Sequence, residues 1–288
     1  MISVIIPTYN RYSKLKKVLR ALECQTIGKN NFEVIIVNDG STEAGYSNFA
    51  AESKEYPFSI KYFSQKNKGA AAARNLGIGY FEGDYIIFIG DDTIPDKNLL
   101  KEHLHVHQHS REQCGVLGMV EWDKDLELND IMRFIAPYGP QFNYKIHDPN
   151  NCGYKRFYTS NISLPAGLLK EDKFSENFKS CNFEDVELGY RLEKKGIRII
   201  LNKKAVVYHD QHYELSGFIE RQKKVGINKR DLILTSPDLK NLWSTPSFLK
   251  IILVKDAVQV FLSKVLGLKS YYFRGLLEQT WIRAFLEE

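Results

Sequence analysis

The chain has 288 residues, of which 43% are hydrophobic and 26% charged, and a formal net charge of +5. This composition supports a sizeable buried core and excludes an intrinsically disordered chain. The positive excess is too mild for a dedicated nucleic-acid binder, so no nucleic-acid partner is expected, although it suits an anionic substrate or membrane surface.

In chain order, residues 3–6 form the first strand-like run, and residues 14–22 follow with helical spacing. The chain enters this strand without a charged and apolar leader, so no signal peptide is expected. Residues 33–37 are the second strand and end in the turn Asn38-Asp39-Gly40-Ser41. Residues 60–63 are the third, residues 69–81 an alanine-rich helix, and residues 85–89 the fourth strand. Continuous β-branched runs alternating with helices predict parallel strands covered on both faces. From about Gly115 the order changes. Short strands are expected at residues 116–120, 157–164 and 197–201, with a charged helix at residues 183–195. Beyond Tyr213 the pattern is helical to the end. With no Gly/Ser/Pro-rich linker between them, the first two halves are expected to share one sheet.

Cys24, Cys114, Cys152 and Cys181 are widely scattered and form no CxxC pair, which reads as reduced thiols and a cytoplasmic protein. The longest apolar stretch, residues 248–266, is interrupted by Lys250, Lys255, Asp256 and Lys264. It falls short of the roughly 18 uncharged residues that a membrane span requires.

The polar residues cluster at strand ends, where open α/β sheets bind ligands. Pro7-Thr8-Tyr9-Asn10-Arg11 follows the first strand, where a dinucleotide-binding chain would carry GxGxxG, and no P-loop is present. Asp39 ends the second strand. Asp91-Asp92 ends the fourth, and two readings fit it. Adjacent carboxylates raise each other's pKa unless a cation neutralises them, and Mg²⁺ binds through one or two carboxylates plus substrate phosphates. Alternatively, the pair is a solvated turn in which Asp92 caps the next helix. Glu184-Asp185 opens the charged helix, either as dipole-stabilising acids in an exposed first turn or as a general base. His209, ending the apolar run at residues 205–208, could complete a metal site. His103, His105, His107 and His109 alternate on an amphipathic segment and read as a surface helix rather than a metal cluster.

Taken together, five segments resemble the family-2 glycosyltransferases: residues 3–11, 37–42, 67–75, 88–92 and 183–192. The resemblance covers about residues 2–209, and its specificity lies in the order of the five motifs. It implies an α/β GT-A fold, in which a Rossmann-like nucleotide-binding half (residues 1–112) is fused to a mixed-sheet acceptor half (residues 113–212). Residues 213–288 form a C-terminal helical extension. It implies inverting transfer from a nucleotide sugar to a glycan or lipid-linked acceptor. Carried over by residue, Pro7, Thr8, Tyr9, Arg11 and Asp39 would hold the nucleobase, with Asp39 accepting from a base N–H. Lys68 and Arg74 would lie near the nucleotide, and Arg74 can pair with phosphate or an acidic neighbour. Asp91 would contact ribose, while Asp92 and His209 would ligate Mg²⁺ or Mn²⁺ at the diphosphate. Asp185 would be the catalytic base with Glu184 beside it, and residues 159–161 would flank the sugar.

Two departures stand out. The usual Asp-x-Asp has Gly90 at its first position, and Asn182-Phe183 stands where many relatives have Gly-Trp. UDP is the expected nucleotide, since Asp39 and Tyr9 suit uracil. A sugar nucleotidyltransferase would carry a Gly-rich, basic loop after the first strand, which this chain lacks. A non-catalytic binding protein of the same fold has Gly90 as its only hint. The basic and aromatic residues of the extension fit either a cap on the domain or peripheral membrane contact. Oligomeric state is not legible.

Overall fold

The computed structural model describes residues 1–178, 183–235, 238 and 246–286; Cys181 and Asn182 lie outside them. The first elements are β1 (Ile2–Thr8), α1 (Tyr12–Glu23), β2 (Phe32–Asn38), α2 (Phe49–Glu52), β3 (Ser59–Ser64), α3 (Ala70–Ile78) and β4 (Tyr85–Ile89). There follow β5 (Thr93–Pro95), α4 (Leu99–His109), β6 (Cys114–Trp122), α5 (Asp130–Ile135), β7 (Asn161–Pro165) and α6 (Ala166–Glu171). The last are α7 (Glu184–Lys194), β8 (Arg198–His209), α8 (Leu215–Thr235), α9 (Pro246–Val265) and α10 (Lys269–Leu286).

Two compact units emerge. The first comprises Met1–Leu126, Asn143–Glu176 and Glu184–Gln211. It is built on one eight-stranded sheet of order β3-β2-β1-β4-β7-β6-β8-β5. β1 pairs in parallel with both β2 and β4, so the strand order reverses at β1. The sheet becomes mixed where β7 runs antiparallel to β4 and β6. β1, β2 and β4 read as unbroken apolar runs because both faces are covered: Val4, Ile5, Val34, Ile35, Ile87 and Phe88 are all 0% exposed. Each such side chain contributes about 1.5–3 kcal/mol of burial. Helix α3 seats on β1 and β2 at Gly77, where an added Cβ would come within 2.8 Å of Ile5 Cγ2.

Three sequence expectations are corrected here. The strand expected at residues 157–164 is β7, shifted to Asn161–Pro165 because Tyr154–Arg156 form a short 3₁₀ turn that leads into it. The strands expected at residues 197–201 and 205–208 are one strand, β8, which begins at Arg198 and whose pairing with β6 shifts register between Gly118 and Met119. The histidine helix is not a surface helix throughout. His105 and His109 are exposed, but His103 is 0% and His107 9% exposed. These two face the sheet, where Ser163 Oγ lies 2.8 Å from His103 Nδ1 and 2.7 Å from His107 Nε2.

The second unit comprises Glu127–Phe142, Asn177–Phe183 and His212–Glu288. Its core is α10, which packs against α8, α9 and α5. Asn129 caps α5 by accepting from the Met132 amide at 3.0 Å. Among the described residues no helix is long and apolar enough to cross a membrane.

Candidate active site

The ends of β1, β2 and β4 lie side by side, because Ile5 pairs with Phe88 and Thr8 with Asn38. Continuing that register brings Asp91 beside Thr8, and Thr8 Oγ1 donates to Asp91 Oδ2 at 2.8 Å. The same hydroxyl lies 2.5 Å from the Tyr46 hydroxyl, which also accepts from the Arg11 amide. Arg11 crosses the mouth of this cluster. Its Nη1 donates to Asp91 Oδ1 at 3.3 Å and to Asp92 Oδ2 at 2.6 Å.

Asp91-Asp92 occupies a turn that leads into β5, not into a helix. The helix-cap reading is therefore overturned. β5 is a strand of three residues whose pairing with β8 sets Thr93 opposite His209. That register brings His209 Nε2 to 3.5 Å from Asp92 Oδ2. Trp122 ends β6 and stacks on the His209 ring at 5.6 Å between centroids. Gly90 fits the same turn, for an added Cβ would lie 2.7 Å from Asp92 Oδ1. An acid at that position would have to displace the Asp92 carboxylate.

The two carboxylates differ in acidity. Burial, then the neighbouring Asp92 charge, pushes Asp91 up to about 6. Burial acts on Asp92 in the same direction. It is overcome by the hydrogen bond and charge of His209 and by Arg11 and Lys14, which bring Asp92 down to about 2. Asp92 is thus the more firmly ionised member of the pair. Among the described residues no group of three or more His, Cys, Asp or Glu side chains is placed to hold a metal by protein ligands alone. Asp92 and His209 together offer one carboxylate and one imidazole, a small protein share that could hold a hard cation only with further ligands from outside the protein.

Asp39 sits at the end of β2, 4% exposed. Its carboxylate accepts from Gln65 Nε2 at 2.8 Å, the Lys68 amide at 2.9 Å and the Gly69 amide at 2.8 Å. These bonds fix the entrance to α3 and leave part of the carboxylate's roughly four acceptor sites for a ligand. The Lys68 side chain is exposed, Pro7 is partly buried and Tyr9 is 46% exposed beside them.

A second cluster forms one turn further along α3. Arg74 Nη1 donates to Glu184 Oε1 at 2.9 Å, with its guanidinium over the Phe174 ring at 5.4 Å. Glu184 is 4% exposed rather than part of an open first turn. Burial, then the Glu184 charge, pushes Asp185 up to about 7, against the opposing pull of Arg74. A carboxyl poised near neutrality is what a general base for a hydroxyl requires. Helix α3 therefore ties the strand-end loop at Asp39 to the acidic pair on α7.

Asn161, expected beside a sugar, is spent internally. It is fully buried, with Nδ2 donating to the Met119 and Ala205 carbonyls at 2.9 Å each and Oδ1 lying 2.8 Å from His103 Nε2. Sequence reasoning missed Tyr46 and Lys14. No motif marks Tyr46, and Lys14 is one of several lysines on α1, picked out by its bonds to the Asp210 carbonyl and to Gln211 Oε1.

Residues 3–162 match the family described as Glycosyl transferase family 2. The validoxylamine A glucosyltransferase of Streptomyces hygroscopicus is 28% identical over 230 residues, covering 71% of this chain and 54% of its own length. The glycosyltransferase GlyA of Streptococcus pneumoniae is 40% identical over 219 residues, covering 73% of this chain and 28% of its own. The chain thus spans about half or less of the length of these relatives. Among solved structures, the mannosyltransferase PcManGT of Pyrobaculum calidifontis, in complex with GDP-Man and Mn²⁺, aligns with a TM-score of 0.70 at 15% identity. That alignment covers 98% of this chain and 85% of PcManGT.

Proposed function

This chain belongs to glycosyl transferase family 2 and has the GT-A fold, and we propose that it moves a sugar from a UDP-linked donor to a hydroxyl of a glycan or lipid-linked acceptor. The observation that carries this reading is Asp185, a carboxyl raised to about 7 beside the Glu184–Arg74 ion pair. Asp185 accepts the acceptor's hydroxyl proton as that oxygen forms its bond to the anomeric carbon. The bond from that carbon to the diphosphate breaks in the same step, and its electron pair leaves with the nucleoside diphosphate. Attack opposite the leaving group inverts the anomeric centre. Arg74 pairs with Glu184 and orients it, so Glu184 is available to a sugar or acceptor hydroxyl.

On the donor side, the exposed Tyr9 ring offers a stacking face, and the Asp39 carboxylate retains capacity for a base N–H. Asp91, raised to about 6 and still mostly ionised at neutral pH, suits a ribose hydroxyl as acceptor. Asp92 and His209 would hold Mg²⁺ or Mn²⁺, which supplies charge stabilisation to the departing diphosphate when bound. The catalytic unit is proposed to be the first compact unit, which lies within residues 1–212 but without Glu127–Phe142 and Asn177–Phe183; these group with the helical extension of residues 213–288 in the second unit. Asp185→Asn should abolish sugar transfer while leaving UDP affinity, measured by calorimetry, within a few-fold of the parent. Full transfer activity in that variant would remove Asp185 from the base role.

A further inference from the structure

In the second unit, helix α9 has two unlike sides. Leu249, Asp256 and Ser263, seven residues apart, are at most 3% exposed, on the side that packs against α10. The opposite side carries Ile251, Val254, Val258, Phe261, Leu262 and Val265, each between 49% and 69% exposed. Their spacing of three, four, three, one and three residues places them on one face of a helix. The apolar surface continues into the turn after α9, where Leu266 is 66% exposed, and into the first turn of α10, where Tyr271 is 57% exposed. Soluble monomers rarely leave so large a contiguous apolar surface open to water.

The rims of this face decide its occupant. Lys250 and Lys264 border it on one side and Lys255 on the other, all exposed and none in an ion pair among the described residues. The only acid of α9, Asp256, lies on the packed side. Two copies of the face would set lysine rims against each other with no acid on α9 to pair them. We infer that the outer face of α9 docks on an anionic lipid surface, its apolar stripe entering the headgroup boundary and its lysines meeting the lipid charges. The helix lies in the interface rather than across it. This inference stands on α9 alone and does not depend on the sugar-transfer reading.

The test is co-sedimentation of the full chain with vesicles of mixed phosphatidylglycerol and phosphatidylcholine, against phosphatidylcholine alone. The chain should partition onto the anionic vesicles, and added salt should weaken the binding. Val258→Ser/Phe261→Ser should reduce partitioning by about tenfold or more through lost apolar insertion. Changing Lys250, Lys255 and Lys264 to Gln should cost about fivefold per lysine on anionic vesicles only, at low salt. All five positions are exposed, so circular dichroism should be unchanged in both variants. Absence of partitioning, or partitioning undiminished by the serine pair, would overturn the inference. So would a dimer in sedimentation velocity that the serine pair dissociates, since that assigns the face to a second copy.

Discussion

Asp185 and Arg74 make a pair of roles that a pH profile can separate. With the Asp185 carboxyl raised to about 7, the proposed base would act only when ionised. The acid limb of kcat/KM should therefore rise about tenfold per pH unit below 7 and level off above it. Arg74 lowers the Asp185 pKa, so Arg74→Gln should move that limb to higher pH while activity recovers at the alkaline end. A variant whose activity is low at every pH, with an unmoved limb, would show that Arg74 does something else. The acidic motif on α7 was legible as a candidate because two adjacent acids opened a helix. That Glu184 is buried against Arg74 was not legible, because 110 residues separate the two partners. The Asp91-Asp92 turn divides the same way. Its place at a strand end could be read from the apolar run before it, but the asymmetry of the pair comes from Arg11 and His209, which arrive from other elements.

At the scale of elements, the clamp formed by Asn161 and His103 ties α4, β6, β7 and β8 together. Asn161→Ala would leave the Met119 and Ala205 carbonyls without this donor, along with His103 Nε2, all in a dry interior. Such a loss costs about 2–4 kcal/mol in total, and the thermal midpoint of unfolding should fall accordingly; an unchanged midpoint would contradict the clamp. Burial lowers His103 to about 4, and burial with His103 beside it lowers His107 to about 3. Both sit below their unfolded values, so the stability their neutral burial lends is present above about pH 6.5. It is lost as the pH falls through those lowered values. The alternation of His103 to His109 left two helix faces to choose between, and only the Ser163 and Asn161 partners on β7 select the inner one. Strands β1, β2 and β4 were readable because burial on both faces leaves continuous apolar runs. β5 was not, since Thr-Ile-Pro carries no periodicity and its partner β8 lies more than a hundred residues on. On α9, neither Asp256 carboxylate oxygen has a hydrogen-bond partner among the described residues. Burial, then the Glu278 charge, pushes this group up to about 6. A folded pKa above the unfolded value gives stability that is full below about 3.9 and lost as pH rises through about 6. Asp256→Asn should thus raise the thermal midpoint at neutral pH and give no gain below the usual carboxylate pKa. An equal effect at both would show that the carboxyl's charge plays no part.

For the whole molecule, one sheet carries both halves of the chemistry. The parallel side supplies Thr8, Asp39 and the Asp91-Asp92 turn, while the mixed side brings His209 alongside through β5 and β8. Helix α3 connects them, pinned at one end by Asp39 and reaching Glu184 from the other. The order of the motifs disclosed this plan in the sequence, because each lies where a strand or helix begins or ends. The residue pairings that tune the charges came only with the fold. The measurement that bears most directly on the central claim is release of free nucleoside diphosphate from a panel of nucleotide sugars, with Mg²⁺ or Mn²⁺ and a hydroxyl acceptor. The account predicts release coupled to an inverted glycoside product, with the UDP sugars most active and Asp185→Asn inert. Turnover that persists in Asp185→Asn, or binding of nucleotide sugars without any release by the parent chain, would contradict it.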